Sequence, residues 1–202
     1  MIKQRREERL QREERERKQK LLAIGGAVVV VILLVAGFMV LRGRQPPPSI
    51  ADGGRVPPPA GVETFTNLSR DHVDGPVAYE QTPPVGGAHS PVWQNCGYYP
   101  APVGNEHAVH SLEHGAVWIT YRPDLPAEQL DLLRSLGEDR TFILVSPYPD
   151  LPSPVVASAW GAQLRLESTD DPRLGEFIRA FRQGPQTPEP GAACIGGTSE
   201  TI

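Results

Sequence analysis

His110-Ser111-Leu112-Glu113-His114-Gly115-Ala116-Val117-Trp118-Ile119-Thr120-Tyr121 divides the chain into two unlike halves. Its second part, residues 116–121, is rich in β-branched and aromatic residues and reads as a strand. Everything beyond it is regular. Residues 126–136 form an amphipathic helix, with Leu130, Leu132, Leu133 and Leu136 as its apolar stripe. Residues 141–145 make a buried-type strand ended by Ser146-Pro147. Residues 155–160 make another, whose pattern runs on through Gly161 to Leu166. A terminal helix over 174–181 opens after Asp171-Pro172, a cap followed by a first-turn proline. This order is β-α-β-β-α. Sequential strands usually neighbour one another, so an α+β fold is expected, with a small mixed sheet and helices packed on it.

Before the quoted stretch the chain is loop-rich. Pro83-Pro84-Val85-Gly86-Gly87 and Pro100-Ala101-Pro102-Val103-Gly104-Asn105 are turn signals. Loops this long in a compact domain are usually functional or stapled.

The first part of the quoted stretch carries chemistry. All five histidines of the chain lie between His72 and His114. Imidazole is the commonest ligand for zinc, copper and nickel and the usual acid–base group near neutral pH. His110 and His114 stand at i and i+4. On a helical turn both rings reach one ion; on a strand they share a face about 13 Å apart and cannot chelate together. The chelating reading therefore needs a turn over 109–114, ended by Gly115. With Glu113 the segment is also His-x-x-Glu-His, a zinc-peptidase signature in which the glutamate activates water. That motif needs a long helix, which Gly115 denies. Glu113 is thus a weak catalytic candidate, and the pattern favours binding over catalysis. His89 ends the rigid Pro83–Gly87 turn, and Trp93, Tyr98 and Tyr99 follow as pocket walls or packing. His72 has Asp71 beside it as a supporting carboxylate. His107, in a polar loop, reads as a solvated surface residue. Tyr79, Trp118, Tyr121 and Trp160 read as core, and Glu189 as a surface residue in preference to a fourth ligand brought in by a Cys96–Cys194 disulfide. The metal set expected is His72, His89, His110 and His114. A single buried histidine is ordinarily a hydrogen-bonded core residue, so this expectation rests on the clustering.

The front of the chain is of a different kind. Residues 1–20 carry nine basic and five acidic residues, as a solvated helix laced with pairs such as Glu8–Arg12 would. Residues 21–41 are free of charge and, as a helix, would span roughly 31 Å, enough to cross a bilayer. The run is longer than a secretory h-region and lacks a clean cleavage site, so a retained anchor is expected rather than a cleaved signal. The excess of Lys and Arg before the span places the tail in the cytoplasm and residues 42–202 outside. The Pro/Gly-rich segment 42–60 reads as an extended linker, and 61–202 as an extracytoplasmic domain. That outer part holds no lysine, and its 11 arginines face 19 acidic residues. Such a balance argues against nucleic acid and is compatible with cations. No protein partner is named by the sequence.

Cys96 and Cys194 both fall in the outer part. An even count in an oxidising compartment suggests one disulfide, with a pair of metal thiolates as the rival reading. A disulfide would tie the C-terminus to the histidine region.

The combination of His72-Val73, Tyr79, Pro83-Pro84-Val85-Gly86-Gly87-Ala88-His89, Trp93, Cys96-Gly97-Tyr98, Val109-His110-Ser111-Leu112-Glu113-His114-Gly115, Ala159-Trp160-Gly161 and Pro188-Glu189-Pro190 with Cys194 resembles the bacterial family catalogued as domain of unknown function 3105. The resemblance covers about residues 62–197. It implies no established activity, an N-terminal anchor in many members, and one shared pattern for His72, His89, His110 and His114. Val85-Gly86 departs from the Thr-Ser usual in that family. The reading reached is a membrane-anchored, single-pass protein whose outer domain binds copper or zinc through a histidine cluster. An imidazole-rich site without thioether suits Cu(II) or Zn(II), and this domain contains no methionine. The alternatives are a metal-dependent hydrolase using His110, Glu113 and His114, or a non-catalytic envelope module.

Overall fold

Strand Val117–Tyr121 (β3) is buried at every position because the sheet is covered on both faces. Its alternation sorts the core. Val117, Ile119 and Tyr121 point to one face, where Leu133, Leu174, Phe177, Ile178 and Phe181 pack. Trp118 points to the other, with Val109, Leu112, Leu144 and Trp160. The buried indole of Trp118 donates to Ser146 Oγ at 3.0 Å, so its one polar atom is satisfied.

The computed structural model describes residues 56–138 and 141–202. The charged tail 1–20, the apolar span 21–41 and linker residues 42–55 lie outside the described residues. Among the described residues no helix is long and apolar enough to cross a membrane.

The fold is mixed α+β. Among the described residues it has one six-stranded sheet in the order β1-β6-β5-β3-β4-β2 and three helices. The strands are Glu63–Thr64 (β1), Gly97–Tyr98 (β2), β3, Ile143–Pro147 (β4), Val155–Ala159 (β5) and Ala162–Leu166 (β6). Helix Asn105–Glu113 (α1) covers the Trp118 face; Ala127–Glu138 (α2) and Pro172–Phe181 (α3) cover the other. β3 and β4 run parallel across the α2 crossover, and β5, β6 and β1 complete the sheet antiparallel. β2 adds a parallel edge beside β4. Both edge strands are only two residues long, which leaves little backbone open for pairing with another chain.

The structure departs from the sequence reading in three places. The run over 155–166 is not one strand but a tight hairpin, β5 and β6, turned at Trp160-Gly161. Gly161 has φ +69°, a conformation that costs glycine nothing. The loop-rich half contributes the two edge strands and a nine-residue helix, α1. Finally, Leu132 is 40 % exposed, so the buried stripe of α2 is centred on Leu133 and the buried Gly137. The cap of α3 is as the sequence implied: the Asp171 side chain accepts from Arg173 N at 2.9 Å, with Pro172 in the first turn. Arg173 also holds the Asp171 carboxyl below its ordinary range through side-chain hydrogen bonds.

The hairpin turn fixes the loop that matters most. Gly161 N donates to Val85 O at 2.8 Å, and Gln163 Nε2 donates to Pro83 O at 2.9 Å. Val85 is fully buried, and the Tyr79 hydroxyl donates to Ala88 O at 2.8 Å. The segment 83–89 is thereby pinned against the sheet, and His89 at its end is fully buried.

Candidate metal centre

α1 supplies three of the side chains. His110 and His114 lie one turn apart, and Glu113 projects beside them. The helix runs through Glu113, His114 caps it, and Gly115 at φ +96° ends it. Of the two local readings, helical turn or strand, the helical one is therefore correct, and the Nε2 atoms of the pair are 2.9 Å apart. The 83–89 loop supplies His89, whose Nε2 lies 2.9 Å from Glu113 Oε2. His72 is brought in by a bridge to His89, with Val73 N donating to His89 O at 2.8 Å and His89 N to Asp71 O at 3.0 Å. Asp71 contributes this carbonyl, while its carboxylate accepts from Ser69 Oγ. The His72 Nε2 stands 3.8 Å from Glu113 Oε2.

Of the four imidazoles expected to meet at one place, His72, His89 and His110 gather with Glu113, while His114 approaches His110 alone and falls in a second group. Ring centroids are 4.9 Å apart for His72 and His89, 4.8 Å for His72 and His110, 4.9 Å for His89 and His110, and 4.5 Å for His110 and His114. His107 is on α1 rather than in a loop; it is half-buried, its ring nitrogen Nδ1 lies 2.6 Å from Val92 O, and it stays out of the cluster. Trp93 walls the cluster, tilted over His110 at 5.7 Å and His114 at 5.1 Å, and Trp160 meets His89 edge-on at 5.9 Å. Tyr98 and Tyr99 do not: Tyr99 packs with the core under α1, and Tyr98 lies against α2.

Glu189, expected as a surface residue, joins the cluster. Its carboxylate lies 3.5 Å from His114 Nε2, although its side chain remains half-exposed. The C-terminal segment is held there by the Cys96–Cys194 disulfide, by Cys96 N donating to Cys194 O at 2.7 Å, and by Glu189 N donating to Glu113 O at 3.1 Å. The cysteines are therefore a disulfide and not thiolate ligands. Pro188-Glu189-Pro190 is visible in the sequence, but only the cross-link shows where it lands.

The protonation pattern follows from the partners. His89 Nδ1 is 2.7 Å from Gly87 O, His110 Nδ1 is 2.6 Å from Ser90 O, and His114 Nδ1 is 2.6 Å from Ala193 O. A carbonyl oxygen only accepts, so each Nδ1 must carry the hydrogen. A neutral ring then presents a bare lone pair at Nε2. His110 and His114 turn such lone pairs toward each other, and His89 Nε2 faces the Glu113 carboxylate at 2.9 Å with a hydrogen between them, all inside the protein. His110 is 4 % exposed and His114 4 %, Glu113 2 %, and His89 none at all. Burial pushes the basicity of His110 down to about 4, and the neighbouring His114, His89 and His72 add to this, while the Ser90 carbonyl opposes it. Carbonyl-anchored Nδ1 with free Nε2 is also the support that metal-ligating histidines ordinarily have.

Among the described residues, two groups of ligand atoms lie within 4.8 Å of one another: His72, His89, His110 and Glu113 in one, His110, His114 and Glu189 in the other. Either group could hold a cation. His110 belongs to both.

Residues 72–196 match the family described as a protein of unknown function (DUF3105), and the chain belongs to it. No curated protein and no solved structure matches the chain.

Proposed function

For this member of the DUF3105 family we propose that the domain binds one transition-metal ion, copper(II) or zinc(II), through Nε2 of its buried histidines, and that residues 21–41 anchor it to the membrane with the domain outside. The observation that carries the metal reading is the 2.9 Å approach of His110 Nε2 to His114 Nε2 while both Nδ1 atoms are committed to carbonyls. Two lone pairs at that distance repel unless a cation lies between or beside them. A hydrogen carried by either ring would serve as well, and burial disfavours the charged form of His110. A divalent ion with several nitrogen ligands answers the whole set at once.

The chemistry of the donors points to copper(II) first. His110 and His114 would supply two imidazole nitrogens to such an ion, with no thioether in the domain to favour copper(I). Copper(II) also outcompetes zinc at nitrogen sites in general. Glu113 is buried with its carboxylate among the ligand atoms of the first group, which supports a coordinating role over that of a base aimed at substrate. The net acidic, lysine-free character of the domain is consistent with attracting cations from outside the cell.

The test is equilibrium dialysis of the purified full chain against copper(II) and zinc(II) separately and in competition. One ion per chain is expected at micromolar free metal, with copper displacing zinc. His110→Ala should weaken uptake by about 100-fold or more. A full chain that takes up neither ion at micromolar concentration would sink the reading.

A further inference from the structure

Resting on that reading, we infer that the ion has two mutually exclusive positions that share His110, so that the domain hands an ion along its ligand row instead of locking it in one cage. His110 has a single nitrogen to give, because its Nδ1 is held by Ser90 O at 2.6 Å. Both ligand groups need that nitrogen. An ion in the first position is held by His110 with His72, His89 and Glu113. An ion in the second is held by His110 with His114 and Glu189. One lone pair binds one ion, so the two positions are alternatives.

The ends of the row differ from its middle. His89, His110, Glu113 and His114 are buried, whereas the side chains of His72 and Glu189 are 45 % and 51 % exposed. Each position therefore has one ligand that faces solvent. The separations along the row are short: 3.8 Å from His72 Nε2 to Glu113 Oε2, 2.9 Å from there to His89 Nε2, 2.9 Å from His110 Nε2 to His114 Nε2, and 3.5 Å on to Glu189 Oε2. An ion can exchange ligands one at a time while His110 stays bound. A closed structural site has no use for a solvent-facing ligand at each end; a carrier that accepts an ion from one chelating partner and yields it to another does.

Copper(II) is the probe. The full chain is titrated with it, the bound ions are counted by native mass spectrometry, and the loaded protein is examined by electron paramagnetic resonance. One ion per chain and two overlapping copper signals are expected. The two exposed ligands give variants with little risk to folding. His72→Ala should shift the signal toward the second position, and Glu189→Gln should shift it toward the first, each by several-fold in relative population. Two ions bound at once would overturn the shared-ligand claim, as would a single signal unmoved by either variant or moved the same way by both. Failure of the full chain to bind copper at all is a different result. It removes the metal reading itself and the two positions with it.

Discussion

His110 concentrates the physics of the molecule in one side chain. It is buried against three other imidazoles, it gives its only hydrogen to Ser90, and it stands in both ligand groups. The same placement fixes how the metal-free domain responds to acid. In the unfolded chain His110 takes a proton near its ordinary value of 6.5, whereas in the folded domain it resists until about 4. Between those values the unfolded state binds more protons, so stability is intact above about 6.5 and lost as the pH falls toward about 4. Thermal denaturation of the metal-free chain should show a melting temperature that drops over this window. His110→Gln should flatten the drop; an unchanged slope would mean that other groups carry it. The histidines were legible as a cluster in the sequence because no imidazole lies elsewhere. The carbonyls of Gly87, Ser90 and Ala193 that fix their tautomers were not legible, since every residue has a carbonyl and only the fold selects three.

Secondary-structure elements were readable where side chains alternate without interruption. Val117-Trp118-Ile119-Thr120-Tyr121 reads as a strand from its residue types alone. The β5–β6 hairpin was less so: Trp160-Gly161-Ala162 continues the apolar run, and only the backbone at Gly161 shows the turn. α1 was seen only in part, because Asn105-Glu106-His107 looks like the end of a proline-rich loop. Its stop, however, was marked by Gly115. That residue has φ +96°, and a Cβ there would stand 3.0 Å from Gln183 Cα and from the Thr187 side chain. The backbone at Gln183 is not a flexible tip that can yield, because Gln183 N donates to Gly115 O at 2.8 Å. Gly115→Ala should therefore destabilise the domain by about 1–3 kcal/mol, read by urea denaturation. A neutral effect would show that the end of α1 is softer than its packing implies.

At the scale of the whole molecule, the site is assembled from segments far apart in sequence and closed by one cross-link. The Cys96–Cys194 disulfide spans 98 residues. Loop-closure entropy alone assigns such a bridge about 4–5 kcal/mol. It also holds Ala193 against His114 and brings Glu189 to the end of the ligand row. Replacing both cysteines by serine should lower the melting temperature by several degrees and weaken copper uptake together; loss of stability with undiminished uptake would show that the C-terminal segment does not serve the site. The sequence allowed the pairing and its tie to the histidine region, but nothing in Pro188-Glu189-Pro190 says which histidine it will meet.

The most direct test of the central claim is the number of copper ions bound per full chain at neutral pH and micromolar free copper. The account predicts one in the native chain and a loss of about 100-fold in affinity in His110→Ala. A native chain that remains metal-free under those conditions, with its Nε2 atoms bridged by protons alone, would contradict it.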